Sequence, residues 1–287
     1  MTADEQLLYE TRVRNRQAVV SALAGILLLA AAIVQLSGPH TTIDELTVDL
    51  ITANKRFPLD LIAAVLNALG SLALAWTLMF LFGASRARRP ELKSFIKYIA
   101  IAGGVLAAIT GVVYAIVVAI KVHEFVTTGA QTYDEANNLT SSAGLLSLQL
   151  LGQAAALLIA VGFVLVSLNA MRVGLLSRFM GYLGIFAGVL VLFQITQVPI
   201  VQAYWLLAFG YLVSGRWPTG VPPAWRSGRA EPWPSSQQMR ASRLAAGGNG
   251  RAKPSATPAP STVGAPGTAG GRSRPGAAKR KRKRRQA

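Results

Sequence analysis

The sequence predicts an all-α membrane protein, a bundle of six transmembrane helices arranged as three helical hairpins. Two late segments, 144–170 and 179–197, contain no Asp, Glu, Lys or Arg, and each approaches or exceeds the roughly 20 apolar residues needed to cross a hydrocarbon core. The chain is 52% hydrophobic and 14% charged, which is too apolar for an ordinary soluble domain. Basic residues are concentrated in alternate connections, as the positive-inside rule requires. These observations together predict a multi-pass membrane protein.

The chain begins with a predicted cytoplasmic leader, residues 1–16, in which Arg12, Arg14 and Arg16 precede the first apolar run, 18–36. A signal peptide is the alternative interpretation. The apolar region of a signal peptide usually has about 7 to 15 residues and is followed by a small-residue cleavage site. This run is longer and ends in Gly38 and Pro39. We therefore expect an uncleaved first helix with its N-terminus inside.

The next segment, 40–60, is polar and separates the first span from the second, 61–84. Its apolar residues recur at helical spacing, at Ile43, Leu46, Leu50 and Ile51, which predicts a short helix. That helix lies either on the membrane surface or in solvent, and we favour the solvated loop helix. A turn rich in Arg and Lys follows the second span. The third span is predicted at 96–120, followed by an outer loop, 121–142.

The fourth and fifth spans, 144–170 and 179–197, are joined by a short connection containing Arg172 and Arg178. The sixth, 200–214, is short and aromatic. Residues 216–234 form a Trp- and Pro-rich juxtamembrane segment. Because proline disfavours helix, we expect its tryptophans to lie extended along the inner headgroup region, at Trp217, Trp225 and Trp233. Residues 235–287 lack apolar periodicity and are predicted to be a disordered basic tail.

The distribution of basic residues predicts the orientation. Of the 29 Lys and Arg residues, 26 fall in the leader, the second-to-third turn, the fourth-to-fifth connection and the segments after the sixth span, and 3 fall in the other loops. Both termini are therefore expected in the cytoplasm. The predicted location is the plasma membrane, with an outer face that is net negative.

Small residues four apart recur in the odd-numbered spans: Ser21 and Gly25, then Gly103, Ala107 and Gly111, then Gly184 and Gly188. This spacing favours close helix packing. It suggests a threefold hairpin repeat whose odd-numbered helices meet at a central contact, or faces through which the protein self-associates as a homo-oligomer. The alternative is that small residues are simply common in membrane helices.

Four polar residues within the spans are candidate substrate-binding groups: Asn67, Tyr114, Gln149 and Gln153. Gln149 and Gln153 are one helical turn apart and share a face. With Trp76, these residues could line a polar pocket open to the exterior. The alternative, which we favour, is that the amides hydrogen-bond between helices and stabilise the bundle. No ionisable residue is expected deep in a span, which argues against a proton-coupled transporter.

No catalytic motif is present: the sequence contains no phosphate-binding glycine loop, zinc-protease helix or nucleophile elbow. We therefore expect no enzyme activity and no cofactor. Since there are no cysteines, disulfides and thiolate metal sites are excluded. His40 and His123 are the candidates for an exterior zinc site, with Asp44 or Glu124 as further ligands. We favour solvated histidines and no metal.

The tail ends in seven consecutive cations, Lys279, Arg280, Lys281, Arg282, Lys283, Arg284 and Arg285. Such a run binds anionic lipids of the inner leaflet, or it binds phosphates of nucleic acid, including ribosomal RNA. We favour lipid as the partner, because a tethered tail always faces the headgroups.

Several topology-linked stretches resemble one group of proteins. They are Ser85-Arg-Ala-Arg-Arg-Pro90, the run from Asn169 to Gly181, the Arg216-Trp-Pro, Pro222-Pro-Ala-Trp and Glu231-Pro-Trp-Pro motifs, and the basic tail. Together they resemble uncharacterised multi-pass, six-helix membrane proteins of high-GC bacteria, over roughly residues 10 to 240. The resemblance implies a bacterial plasma-membrane location and no assigned activity.

Three functions follow from these features. The first is a structural or interaction protein whose basic tail binds lipid or a partner, and it predicts a dry bundle. The second is a transporter or channel for a small solute or lipid, and it predicts a hydrated outward cavity that reaches the amides. The third is a membrane enzyme, which only the outer-loop histidines and carboxylates could serve. We rank them in that order.

Overall fold

The computed structural model describes residues 3–41, 43, 45–193, 199–218, 221–231, 233, 240, 241 and 244. Every regular element within them is a helix, which confirms the predicted all-α class. The helices are α1 Ala3–Ser37, α2 Leu46–Arg56, α3 Leu59–Arg88, α4 Phe95–Thr127, α5 Tyr133–Thr140, α6 Ala143–Arg172, α7 Arg178–Phe193, α8 Ile200–Val213 and α9 Pro223–Ser227. The predicted tail, with its terminal cations, lies outside the described residues except for 240, 241 and 244.

Four of these helices, α1, α3, α4 and α6, are long and apolar enough to cross a membrane. The helices α7 and α8 are also apolar but shorter. With 14 residues, α8 is about 21 Å long at 1.5 Å per residue, against a hydrocarbon core of about 30 Å. The predicted fifth span, 179–197, corresponds to α7 as far as Phe193, and its remaining residues lie outside the described chain.

The first helix includes the predicted leader. No boundary separates residues 3–16 from the first apolar run, because α1 continues unbroken from Ala3 to Ser37. Neither glycine nor proline interrupts the chain before Gly25, and Leu, Arg, Glu and Gln are good helix formers. The leader therefore forms the first turns of α1 rather than a separate segment.

The six longer apolar helices form a closed ring. The helix α1 packs along α3 and α8, α4 packs along α3 and α6, and α7 packs along α6 and α8. A further contact between α3 and α6 crosses the ring. The two helices of each predicted hairpin are therefore neighbours, and one contiguous apolar core links α1, α3, α4, α6, α7 and α8.

The small residues of the odd-numbered spans contact even-numbered helices. A Cβ added at Gly25 would lie 2.9 Å from the carbonyl oxygen of Ala203 on α8. One added at Gly103 would lie 2.7 Å from the backbone nitrogen of Ile159 on α6. The predicted central contact among odd-numbered helices is therefore wrong. In the ring, these glycines permit close approach to the backbone of a neighbouring helix.

We call one end of the ring the basic end, because it gathers the start of α1, the α3–α4 and α6–α7 connections, and the end of α8. The Arg14 guanidinium donates to the carbonyl of Val213 there. The helix α9 is folded against the same end: Trp225 is 5% exposed, and its Nε1 donates to Leu175 O at 3.0 Å. The predicted extended anchor is thus wrong for Trp225, since Pro223 occupies the first helical turn, where no backbone donor is needed.

We call the opposite end the acidic end, because its connections contain most of the acidic residues of the helical region. The helices α2 and α5 pack on the last turns of α4 there. Leu50 of α2, Val122 and Phe125 of α4, and Ala136 of α5 form a small buried cluster. The predicted loop helix thus exists, beginning at Leu46, and its apolar face is covered by α4 rather than solvated.

Candidate ligand-binding cavity

The acidic end contains a cavity of about 420 Å³ between α3 and α4. The last turns of α1 form one side, and α2 with Phe57 lies across the opening. Its volume falls in the range of about 300 to 1,000 Å³ that is usual for small-molecule sites. The polar or charged residues that line it are Gln35, Asn54, Arg56, Asp60, Asn67 and Tyr114.

Short side chains account for the space between these helices. The walls are mostly alanine, and they also include Gly111: Ala31, Ala53, Ala63, Ala64, Ala68, Ala107, Ala115 and Ala119. A Cβ added at Gly111 would meet nothing within 4 Å. The two helices approach closely deeper in the bundle and leave a gap here, because alanine side chains are too short to fill it.

An ion pair lies at the cavity opening. The Arg56 Nη2 atom is 2.9 Å from Asp60 Oδ1, and it also donates to the backbone carbonyl of Gln35 at 2.7 Å. Arg56 thereby connects the ends of α1 and α2 to the start of α3. The side chains are 19% and 41% exposed, respectively, so both charges are accessible from the cavity and from solvent.

Asn67 and Tyr114 lie deeper and come from facing helices, α3 and α4. The Asn67 side chain is exposed, and its Oδ1 accepts a hydrogen bond from Ser71 Oγ at 3.3 Å on the same helix. The Tyr114 hydroxyl accepts one from Gln149 Nε2, also at 3.3 Å, and retains its own O–H to donate. The cavity therefore presents amide and phenol groups beneath a pair of opposite charges.

Gln149 and Gln153 lie in a separate, shallower groove on the other side of Tyr114, between α4 and α6. Thr110 and Gly152 also line this groove. The four sequence-predicted residues thus form two adjoining sites that share Tyr114, rather than one pocket. Trp76 belongs to neither, because it lines a cleft at the basic end, and its predicted place beside these residues is wrong.

The two histidines are not brought into a metal-binding cluster. His40 Nε2 lies 2.9 Å from the carbonyl oxygen of Leu36, and His123 is exposed on α4. Among the described residues, no three His, Cys, Asp or Glu side chains are grouped for a metal ion. Asp44, a further candidate ligand, lies outside those residues.

Sequence reasoning missed two charged pairs. The Arg56 and Asp60 pair has helical i,i+4 spacing, which is a recognisable signal, but Pro58 between them obscured it. The second pair joins Glu10 and Arg88 at the basic end, where the side chains are 3% and 0% exposed. These residues are 78 positions apart, and nothing in their local sequence indicates that they meet.

Comparison of the chain with protein-family models, with curated proteins and with solved structures finds no match. The function must therefore be inferred from the residues of the cavity and their arrangement.

Proposed function

We propose that this protein binds a small zwitterionic solute in the cavity at its acidic end, as part of a transporter or channel. The observation that supports this most directly is that opposite charges, Arg56 and Asp60, stand at the opening of a cavity lined by Asn67 and Tyr114. This arrangement fits the second of the functions inferred from sequence, which requires a cavity that reaches the amides.

The ion pair suits a ligand that carries both an ammonium and a carboxylate group. A partly exposed salt bridge contributes only about 0.2 to 1 kcal/mol, so it can be exchanged for contacts with a ligand at little cost. Arg56 offers a planar guanidinium to a carboxylate, and Asp60 offers a carboxylate to an ammonium. Its bond to the Gln35 carbonyl holds the Arg56 side chain at the opening.

The deeper polar groups support binding in one case and helix packing in the other. Asn67 bonds Ser71 on its own helix, so this bond does not join two helices and leaves the amide N–H groups facing the cavity. Gln149 bonds Tyr114 across α6 and α4, which is the interhelical role expected from sequence. We therefore assign Asn67 and Tyr114 to the ligand and Gln149 to the positioning of Tyr114. Gln153, in the adjoining groove, has no assigned role.

The membrane arrangement that goes with this function has six spans, with α7 and α8 as the short final hairpin. Both termini are cytoplasmic, and the cavity opens to the exterior of the plasma membrane. The segregation of basic and acidic connections to opposite ends of the ring supports this orientation. The structural or interaction function rests on the tail, which lies outside the described residues, so the cavity supports the solute-binding function better.

Cysteine labelling tests the proposal, since the chain has no native cysteine. The Ala68→Cys variant places a thiol beside Asn67 in the cavity wall. We expect a membrane-impermeant maleimide to label it in intact cells, and glycine betaine, proline or alanine to slow that labelling. Asp134→Cys, on an exposed position of α5, is the control that labels regardless of solute. Labelling of the control alone would show that the cavity is closed to the exterior, and the proposal would be wrong.

A further inference from the structure

A second space, of about 600 Å³, lies at the basic end between the start of α1, the later turns of α3 and the start of α4. It is a cleft separate from the zwitterion cavity and shares no lining residue with it. Two cations, Arg86 and Lys97, stand beside polar residues of α1. On the α3 side it is lined by Trp76, Met79, Phe80 and Gly83. The cleft therefore combines a charged part with an apolar part.

The charged part is net positive. Glu10 also lines the cleft, but Arg88 binds both of its carboxylate oxygens, at 2.7 and 2.8 Å. That pair is neutral as a unit. Arg86 is held in place because its Nη1 donates to Ser94 Oγ at 2.7 Å. Two positive charges remain uncompensated within the cleft, from α3 and from α4.

A buried acceptor accompanies these cations. Gln17 is 6% exposed, lines the cleft, and has an Oε1 atom with no hydrogen-bond partner among the described residues. An unsatisfied buried acceptor destabilises the protein unless a donor reaches it. A hydroxyl group in the cleft would provide that donor.

The apolar part lies on a helix that is long enough to cross the membrane. Trp76 is 52% exposed, and a Cβ added at Gly83 would meet nothing within 4 Å. This side of the cleft is therefore open laterally along α3. A soluble anion would leave these side chains uncovered, whereas an acyl chain would cover them.

We propose that the cleft binds an anionic phospholipid whose headgroup carries hydroxyl groups, such as phosphatidylglycerol. Arg86 and Lys97 bind the phosphate, Gln17 Oε1 accepts from a headgroup hydroxyl, and an acyl chain lies along Trp76 and Met79. Basic pockets between helices on the cytoplasmic side are a known form of lipid site. This site rests on the proposed orientation of the basic end, but it is independent of the solute and of the tail.

Native mass spectrometry of the full chain in detergent tests the cleft, with phosphatidylglycerol and phosphatidylcholine as the added lipids. We expect the double variant Arg86→Gln, Lys97→Gln to weaken phosphatidylglycerol binding by about tenfold or more. The matched control is Arg89→Gln, Lys93→Gln, which removes two charges from the same connection but outside the cleft. The control should bind as the wild type does. An equal loss in both variants would mean attraction by surface charge alone, and it would overturn the proposal.

Two further probes test the headgroup and the source of the phosphate. Phosphatidylmethanol has the same charge as phosphatidylglycerol and lacks its hydroxyls, so the wild type should prefer phosphatidylglycerol and Gln17→Leu should abolish that preference. Equal wild-type binding of both lipids would overturn the role of Gln17. Glycerol phosphate should compete poorly with the lipid. Competition at equal concentration would show a site for soluble phosphate esters and not for a lipid.

Discussion

Arg88 on α3 and Glu10 on α1 form a buried ion pair in which Nη1 and Nη2 of the guanidinium bind Oε1 and Oε2 of the carboxylate, at 2.7 and 2.8 Å. The same guanidinium donates to the carbonyl of Ala224 at 2.8 and 3.0 Å, and to that of Ala84 at 2.9 Å. It also lies 5.3 Å from the ring of Trp225. One side chain therefore joins α1, α3 and α9, and all of its polar groups are paired.

This pairing predicts a large loss of stability for Glu10→Gln. Removing one partner of a buried ion pair leaves an uncompensated charge and costs about 3 to 5 kcal/mol. Thermal unfolding in detergent, followed by tryptophan fluorescence, measures the loss. Glu91→Gln is the matched control, because Glu91 is 82% exposed and lies 3.6 Å from Arg89. A similar melting temperature for both variants would show that the buried pair does not stabilise the bundle.

The close approach of α4 to α6 predicts opposite effects for two glycines of one helix. Gly103→Ala places a Cβ 2.7 Å from the Ile159 backbone nitrogen, and such overpacking costs about 1 to 3 kcal/mol. Gly111→Ala meets nothing within 4 Å and should be neutral or slightly stabilising, since alanine favours helix. Denaturation in mixed micelles distinguishes the two. Equal destabilisation would mean that glycine is needed at both positions for a reason other than space.

The orientation predicts which cysteines an impermeant reagent reaches. In intact cells Asp134→Cys at the acidic end should be labelled, and Lys93→Cys at the basic end should be labelled only after the cells are permeabilised. Both positions are exposed, so burial cannot account for a difference. The reverse pattern would place the basic end outside, against the positive-inside rule, and the cavity would then face the cytoplasm.

The geometry of the cavity predicts that Tyr114→Phe weakens solute binding without changing the fold. Loss of one hydrogen bond corresponds to a reduction of about two- to tenfold, measured as the concentration of glycine betaine or proline that protects Ala68→Cys from labelling. Tyr98→Phe is the control, because Tyr98 is exposed on the first turns of α4.

Gln149→Leu distinguishes contact from positioning at the same site. It removes the hydrogen bond to the Tyr114 hydroxyl from the α6 side and leaves the cavity lining intact. We expect a smaller loss of protection than for Tyr114→Phe. If Tyr114→Phe protects as well as the parent variant, the hydroxyl does not contact the solute.

The class of the protein was predictable because it depends on local composition. Long apolar segments cannot be solvated in water and must satisfy their backbone groups internally in lipid, so α1, α3, α4 and α6 could be predicted without any tertiary information. The spacing of Gly25 and Gly103 likewise predicted close helix contacts. It could not predict the partner helix, because small-residue spacing describes one surface only.

The candidate site was predictable only in part, for a similar reason. Asn67 and Tyr114 were identifiable as polar residues within apolar spans, and the structure brings them into one cavity. Their separation from Gln149 and Gln153 depends on which face of α4 meets which neighbour. Trp225 was misassigned because the prolines around it indicate an irregular chain, and its burial depends on a hydrogen bond to Leu175, 50 residues away.

The sequence by itself determined that this is an all-α membrane protein and that its basic and acidic connections alternate, because hydropathy and charge act residue by residue along the chain. Only the tertiary structure decided the ring order of the helices, the alanine-lined cavity between α3 and α4, and the pairing of Glu10 with Arg88. These features depend on the shapes of facing surfaces and on charges that are remote in sequence. Such complementarity is a property of pairs of helices, and no single segment encodes it.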